Sequence, residues 1–178
     1  ILYIRKKKNN KNIKFSFSKV FKEIKKIISK NKIIGGYYPV NFEIDILEIF
    51  ESLEKKEGVK LSLPVIKKNN EMDFYEWSPK NLLKLNKYGI PEPEEIKKVF
   101  PDIIFVPIVA FDNRLYRIGY GGGYYDRYIQ KLSNKKKLFK IGIAHSCQKI
   151  NKVPINKYDK KLDIIITEKY ILRWEFFF

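Results

Sequence analysis

The stretch Phe105-Val106-Pro107-Ile108-Val109-Ala110-Phe111-Asp112-Asn113-Arg114-Leu115-Tyr116-Arg117-Ile118-Gly119-Tyr120-Gly121-Gly122-Gly123-Tyr124-Tyr125-Asp126-Arg127-Tyr128 decides how the rest of the chain is read. An apolar run ends in Pro107, and a short polar stretch carries Asp112, Arg114 and Arg117. Four glycines in five positions (Gly119, Gly121, Gly122, Gly123) then lead into an amphipathic segment that opens Tyr124-Tyr125-Asp126. Glycines between a strand and a helix let backbone N–H groups close around an anion, and the helix N-terminus adds roughly half a positive charge. The upstream arginines can neutralise what the loop holds, and Asp126 in the first helical turn can reach a metal on the same phosphates. This is a phosphate-binding site in outline, and it points to an enzyme. The glycines alone carry less weight. Gly-x-Gly-Gly-Gly is neither a Walker loop, which needs a Gly-Lys-Ser/Thr ending, nor a dinucleotide fingerprint, and glycines also serve plain tight turns.

Working outward, apolar residues Val20, Phe21, Ile24, Ile27 and Ile28 predict a helix from an N-cap at Ser18, ended by Asn31 and Lys32. Ile33 to Tyr38 reads as a strand stopped by Pro39. Ile46, Leu47, Ile49, Phe50 and Leu53 give a second helix with Gly58 as its stop. Val59 to Pro64 is a strand, Asn69-Asn70 a turn, and the stretch around Phe74 and Trp77 is less regular. Pro91-Glu92-Pro93-Glu94-Glu95 has Pro and acids suited to a brief helix. Asp102 to Val106 is the strand that feeds the glycine loop, Tyr124 to Leu132 the helix behind it, and Lys140 to Ala144 and Leu162 to Thr167 two further strands. Apolar strands alternating with helices predict an α/β fold, a mainly parallel sheet flanked by helices on both faces in a Rossmann-like three-layer architecture. Ligands in such sheets sit beyond the carboxyl ends of the strands, where Tyr38-Pro39, Pro107 to Asp112 and His145-Ser146 lie.

The 178 residues, 44% apolar, are expected to form one domain spanning 1–178 that buries roughly 70% of the unfolded surface. Residues 1–17 are a basic amino end (Arg5, Lys6, Lys7, Lys8, Lys11, Lys14), expected to be irregular because it is poorly patterned, or incomplete because the chain opens on Ile1 instead of Met. No apolar run is long enough for a membrane span and no signal peptide opens the chain. With one cysteine, Cys147, nothing calls for an oxidising compartment, and with one histidine, His145, a zinc site is nearly excluded. A hard, oxygen-liganded metal such as Mg²⁺ remains. The net charge of +17 invites a nucleic-acid reading, yet only five of the 37 basic residues are arginine. Scattered lysines among many Asn and Ile residues are what A/T-rich codons produce, and they read as solvated faces.

Several residues have a plain alternative to a functional role. Glu43 opens a helix, where an acid stabilises the dipole. Asp159 is ordinarily a solvated loop acid, His145 a packed or capping residue, and Cys147 a small residue near the core. Tyr124 and Tyr125 face different ways, one toward the core and one as a wall against a flat ligand. The closing Arg-Trp-Glu-Phe-Phe-Phe has no clear role.

These residues resemble the 5-formyltetrahydrofolate cyclo-ligase family from about Gly35 to Glu168. The stations are Tyr37-Tyr38-Pro39 with Glu43-Ile44-Asp45, Leu63-Pro64-Val65, Met72-Asp73-Phe74, Gly89-Ile90-Pro91-Glu92-Pro93, Val106-Pro107 through Phe111-Asp112, Arg117 to Arg127, Gln148, Tyr158-Asp159, Leu162-Asp163 and Thr167-Glu168. Arg117 to Asp126 is the specific one; the others fall in the right order. The resemblance implies ATP- and Mg²⁺-dependent closure of 5-formyltetrahydrofolate to 5,10-methenyltetrahydrofolate, releasing ADP and phosphate. In this reading Arg117 and Tyr124 are catalytic, and Arg117, Ile118, Gly119, Tyr120, Gly121, Gly122, Gly123, Tyr124 and Tyr125 wrap ATP. Tyr38, Glu43 and Tyr120 through Tyr124 border the folate, and Asp126 and Asp159 hold the metal. The family carries Lys-x-x-x-Arg contacting ATP at the amino end; Arg5 matches the arginine, while Ile1 stands in place of the lysine. Ile108 stands where relatives often have glycine. The implied protein is a cytoplasmic monomer that binds folate and ATP and neither nucleic acid nor membrane. The readings held against it are a basic nucleic-acid-binding module and a relative that binds without turnover.

Overall fold

The computed structural model describes residues 2–9, 17–26 and 32–174. Helices α1 (Leu2–Asn9) and α2 (Ser18–Lys25) lead to β1 (Ile33–Gly35), α3 (Leu47–Glu57) and β2 (Lys60–Ile66). Four antiparallel strands follow: β3 (Met72–Glu76), β4 (Leu83–Leu85), β5 (Pro91–Pro93) and β6 (Lys98–Val99). The chain then forms β7 (Ile103–Val106), the hairpin β8 (Ala110–Phe111) and β9 (Arg117–Ile118), α4 (Tyr124–Ser133), β10 (Phe139–Ile143), β11 (Ile164–Ile166) and β12 (Ile171–Arg173).

The main sheet runs β12-β11-β10-β7-β1-β2-β3-β6. Five adjacent strands within it, β11, β10, β7, β1 and β2, are parallel. Antiparallel β12 closes one edge, and β3 with β6 closes the other. Strand β1 is parallel to β2 on one side and to β7 on the other, so the strand order reverses there and leaves a crevice beyond the carboxyl ends of β1 and β7.

The period-2 alternation of side chains sorts the core into two layers. Ile103, Phe105, Ile164 and Ile166 pack with Val20 and Ile24 of α2 and with Ile49, Phe50 and Leu53 of α3. Ile104, Val106 and Ile165 pack on the opposite face with Tyr128, Ile129 and Leu132 of α4. The expected three-layer α/β fold is thus present. Gly58 ends α3 with φ 61°, a backbone angle glycine adopts without strain. No helix among the described residues is long and apolar enough to cross a membrane.

Several local readings change. The stretch around Phe74 is strand β3, whose residues Met72 to Tyr75 are all buried and so lack the alternation that marks a strand in sequence. Pro91-Glu92-Pro93 is strand β5, not a helix start. The buried Glu92 carboxylate accepts the Ile66 N–H at 2.9 Å and the Asn86 amide at 2.7 Å, and the long-range bond to Ile66 overrides the local preference. Strand β1 stops at Gly35 rather than Tyr38. The hairpin β8–β9 stands between β7 and the glycine loop. Phe17 takes the N-cap position of α2, making Ser18 its first residue. Ile27, Ile28, Lys11, Lys14 and the last three phenylalanines lie outside the described residues.

Close packing under the crevice has a measurable consequence. A Cβ at Gly36 would lie 2.2 Å from the ring of Phe50 and 2.9 Å from Ile46. Gly36→Ala is therefore expected to cost about 1–3 kcal/mol by overpacking, read as a lower urea midpoint with an unchanged slope.

Candidate active site at the strand switch point

The loop after β1 builds one wall. Val40 to Glu43 is a tight turn in which the Glu43 N–H donates to the Val40 carbonyl at 3.0 Å and the Val40 N–H returns to Glu43 Oε2 at 2.9 Å. Its two central residues, Asn41 and Phe42, have φ 49° and 62°. Such strain at a non-glycine pair persists only where surrounding contacts over-determine it. Burial raises the Glu43 carboxyl to about 7, against the opposing pull of the Val40 N–H, the Arg5 guanidinium and a hydrogen bond from Tyr120. The buried Tyr37 hydroxyl donates to the Ile44 carbonyl at 2.9 Å and fixes the far end of this loop. Tyr38 is half-buried beside it.

Hairpin and glycine loop build the opposite wall. Arg117 leaves β9 and forms a two-pronged pair with Asp126 of α4, at 3.1 Å from Nη1 and 3.0 Å from Nη2. The Lys160 backbone completes a square: its carbonyl accepts from Arg117 Nη1 at 3.1 Å and its N–H donates to Asp126 Oδ1 at 2.9 Å. The Arg117 side chain is only 5% exposed, so this pair sits in a poorly solvated place where charge-assisted bonds are strong. Gly123 caps α4 in the left-handed conformation (φ 63°), with no side-chain bond to the first turn. The helix therefore presents its first N–H groups to the loop. Gly119, Gly121 and Gly122 are exposed above it, and Ile118 is half-buried in β9.

The hairpin is itself pinned. Fully buried Asp112 accepts Arg114 Nε at 2.9 Å and the Val153 N–H at 2.9 Å, so Arg114 faces this carboxylate and the Val153 carbonyl. These bonds hold the carboxylate below its ordinary range despite its burial.

The two tyrosines diverge as their adjacent helical positions require. Tyr125 runs under the loop, its hydroxyl donating to the Gly36 carbonyl at 3.2 Å, and burial raises it far above an ordinary phenol. Tyr124 faces outward, its hydroxyl 3.2 Å from that of Tyr88 on the β4–β5 turn. Arg127 donates to the Asn70 carbonyl at 3.0 Å and ties the same corner to the turn before β3. Tyr88 and the Lys160 backbone are absent from the sequence reading. Tyr88 has a weak signal, an aromatic at a Gly-containing turn, whereas a backbone contact has none.

Arg5 lies across the crevice from both walls, against the Asn41 and Ile108 carbonyls and the Tyr120 hydroxyl. Asp159 does not meet Asp126 directly; its Oδ2 accepts the Asn156 N–H at 2.7 Å within its own turn, one residue before Lys160. Among the described residues no group of three His, Cys, Asp or Glu side chains forms a ready metal cage. Oxygen donors at Asp126 and Asp159 nonetheless fit Mg²⁺, which is commonly held by one or two carboxylates together with substrate phosphates and water. Asp126 Oδ2 accepts a single hydrogen bond and keeps a lone pair for that purpose. His145 is buried at the head of a short turn, where its N–H donates to Gln148 Oε1 at 2.7 Å. Cys147 is half-buried.

This arrangement has counterparts. The sequence profile of the 5-formyltetrahydrofolate cyclo-ligase family matches residues 3–168. The 5-formyltetrahydrofolate cyclo-ligase of Escherichia coli strain K12 is 32% identical over 139 residues, covering 74% of this chain and 75% of that protein. The enzyme of that name from Haemophilus influenzae is 34% identical over 143 residues, covering 76% and 75%. A 5,10-methenyltetrahydrofolate synthetase from Aquifex aeolicus superposes with TM-score 0.68 at 33% identity, over 97% of this chain and 80% of that one. Another from Mycoplasma pneumoniae gives 0.61 at 28% identity, over 78% and 74%. Alike in sequence over nearly its whole length and alike in fold, the chain belongs to the 5-formyltetrahydrofolate cyclo-ligase family of enzymes.

Proposed function

We propose that this protein uses ATP to close 5-formyltetrahydrofolate into 5,10-methenyltetrahydrofolate, releasing ADP and phosphate. The observation that carries the reading is that the turn bearing Glu43 and the glycine loop are tied together beyond the carboxyl ends of β1 and β7. The Tyr125 hydroxyl bonds the Gly36 carbonyl and Arg5 bonds both Asn41 and Tyr120, with Arg117 paired to Asp126 in the first turn of α4. The formyl oxygen attacks the γ-phosphorus of ATP and the bond to ADP breaks, leaving a phosphorylated iminium at N5. N10 then attacks the activated carbon, phosphate departs with the formyl oxygen, and the N10 proton is lost. Such chemistry needs positioning and charge neutralisation more than a covalent catalyst.

The residues divide between these tasks. Backbone N–H groups from Gly119 to Tyr125 would cradle the phosphates, and Arg117 would meet the charge that grows on the transferred group. Tyr124 stands at the outer wall, where both substrates would meet. Glu43, as carboxylate, would accept two parallel hydrogen bonds from pterin N–H groups, with Tyr38 lining the same pocket. Asp126 and Asp159 would hold a magnesium ion, which supplies further neutralisation of phosphate oxygens when bound. The reading includes a cytoplasmic, single-domain monomer, since both substrates would meet above one sheet and lone Cys147 needs no oxidising compartment.

The direct test mixes purified protein with 5-formyltetrahydrofolate and Mg-ATP and follows methenyl absorbance against an ATP-free control. An ATP-dependent rise is expected. Folded protein that binds ATP without a rise would be a binding-only relative. Arg117→Lys keeps the charge but loses the two-pronged geometry, and kcat/KM for ATP is expected to fall on the order of 10- to 100-fold.

Glu43 predicts a pH dependence. With the free carboxyl at about 7, it is largely neutral at acid pH, and pterin donors favour its ionised form. Folate affinity is therefore expected to rise between about pH 6 and about pH 8, and Glu43→Gln to be weaker and nearly flat across that range. Stability moves the opposite way. A raised acid binds its proton more tightly when folded, so Glu43 lowers wild-type stability as pH climbs from the ordinary carboxyl value of 4.5 toward 7. The melting temperature of Glu43→Gln should gain on wild type between about pH 5 and about pH 8, a gap that scanning calorimetry reads directly.

A further inference from the structure

Arg127 follows Asp126 on α4 and has no carboxylate partner among the described residues, whereas Arg114, Arg117 and Arg173 pair with Asp112, Asp126 and Glu23. It turns to backbone carbonyls instead. Its Nη2 donates to the Gly122 carbonyl at 2.5 Å and to the Asn70 carbonyl at 2.6 Å, and its Nε donates to Asn70 at 3.0 Å. The guanidinium carbon lies 5.4 Å from the centroid of the Tyr124 ring. A Cβ at Gly123 would sit 2.8 Å from Arg127 Nη1, so the guanidinium lies across the end of the glycine loop, in the space a side chain there would need. The turn it grips is specialised too. Asn69 and Asn70 both have φ 58°, in the left-handed region that asparagine tolerates better than most residues.

These bonds orient a peptide unit. Across a planar trans peptide the carbonyl and the following N–H point in opposite directions. Holding the Gly122 oxygen on Arg127 therefore turns the Gly123 N–H away from the Asn70 corner. Among the described residues no acceptor takes the N–H of Gly121, Gly122 or Gly123, and the first N–H groups of α4 have no partner within the helix. A carbonyl oxygen left facing the loop would repel a phosphate. Arg127 draws that oxygen aside and keeps its own charge without a counter-ion, next to the row of donors. An exposed arginine held in one pose gives up rotamer freedom, and surface bonds to neutral carbonyls return little stability. What the arrangement achieves is a loop whose donors are set in advance.

We propose that Arg127 is a positioning residue for the phosphate cradle. It holds the Gly122 carbonyl outward and clamps the glycine loop to the Asn69-Asn70 turn, so that the donors from Gly121 to Tyr124 are aimed before the anion arrives. This role rests on the ATP reading of the crevice. Donors fixed in advance need no reordering when charge appears, which is why such preorganisation strengthens binding. A lysine cannot substitute, since an ammonium on a flexible stem lacks the planar fork that fixes two carbonyls from separate segments.

The test is calorimetric titration of wild type, Arg127→Met and Arg127→Lys, with a non-hydrolysable ATP analogue and separately with 5-formyltetrahydrofolate. Arg127→Met is expected to raise the analogue's Kd on the order of tenfold while leaving the folate Kd within about twofold. Arg127→Lys is expected to lose most of the same affinity, because charge alone does not orient a carbonyl. Amide NMR of isotope-labelled protein supplies a local readout. The Gly123 amide proton is expected to move downfield when the analogue binds wild type, and to move less than half as far in saturated Arg127→Met. An analogue Kd within about twofold of wild type in Arg127→Met would overturn the inference, as would equal weakening of folate, Arg127→Lys binding like wild type, or an unchanged Gly123 shift. Arg127 is exposed, and methionine and lysine are both good helix formers, so both variants retain α4. Wild-type protein that does not bind the analogue would overturn the ATP reading itself, an outcome distinct from any difference among the variants.

Discussion

Everything about the site depends on β1 being paired in parallel on both sides, with β2 through Ile34 and Leu61 and with β7 through Ile34 and Ile103. A strand hydrogen-bonded on both edges has no free ladder groups and cannot shift without breaking both. The chain leaves its carboxyl end in one direction and leaves that of β7 in the other. The gap between them needs no special carving, because two loops departing from adjacent strands cannot fill the same space. Gly35 and Gly36 let Phe74 and Phe50 press against the strand end from opposite faces, so the floor of the crevice is solid.

Two different solutions to buried charge stand on this floor. Arg117 and Asp126 satisfy each other, and a backbone segment supplies the remaining donor and acceptor. Glu43 is left with a backbone N–H, a tyrosine hydroxyl and the field of Arg5, too little to offset its burial. The first pair is arranged for rigidity. The second group is arranged to respond, since a carboxyl near neutrality changes state when a ligand brings new donors.

The glycine loop joins the two. Its carboxyl end opens α4 with free N–H groups, and Tyr120 reaches back to Arg5, which also holds the Asn41 carbonyl in the Glu43 turn. Tyr125, packed below, anchors the helix start to the Gly36 carbonyl, so the loop and the end of β1 are held together by one hydrogen bond. That coupling is well suited to bringing two substrates together, because displacement at one end is felt at the other.

Much of this was legible in the residues themselves. The unbroken apolar runs Ile103 to Val106 and Ile164 to Ile166 announce strands buried on both faces, Gly58 the end of α3, and Gly119 to Gly123 a loop before a helix, because these are properties of short segments. That the adjacent Tyr124 and Tyr125 face different ways follows from helical geometry; which of them turns inward came only with the structure. Glu92 was misread because its strand is held by the Ile66 N–H, a group from another strand that no local window contains. The same reason hides the burial of Arg5, the closure of Arg117 on Asp126 through Lys160, and the meeting of Tyr88 with Tyr124. Local chemistry determined which elements form and where an anion could sit. Only the tertiary structure decided which charges are paired and which are left responsive, because that depends on which distant backbone groups arrive beside them.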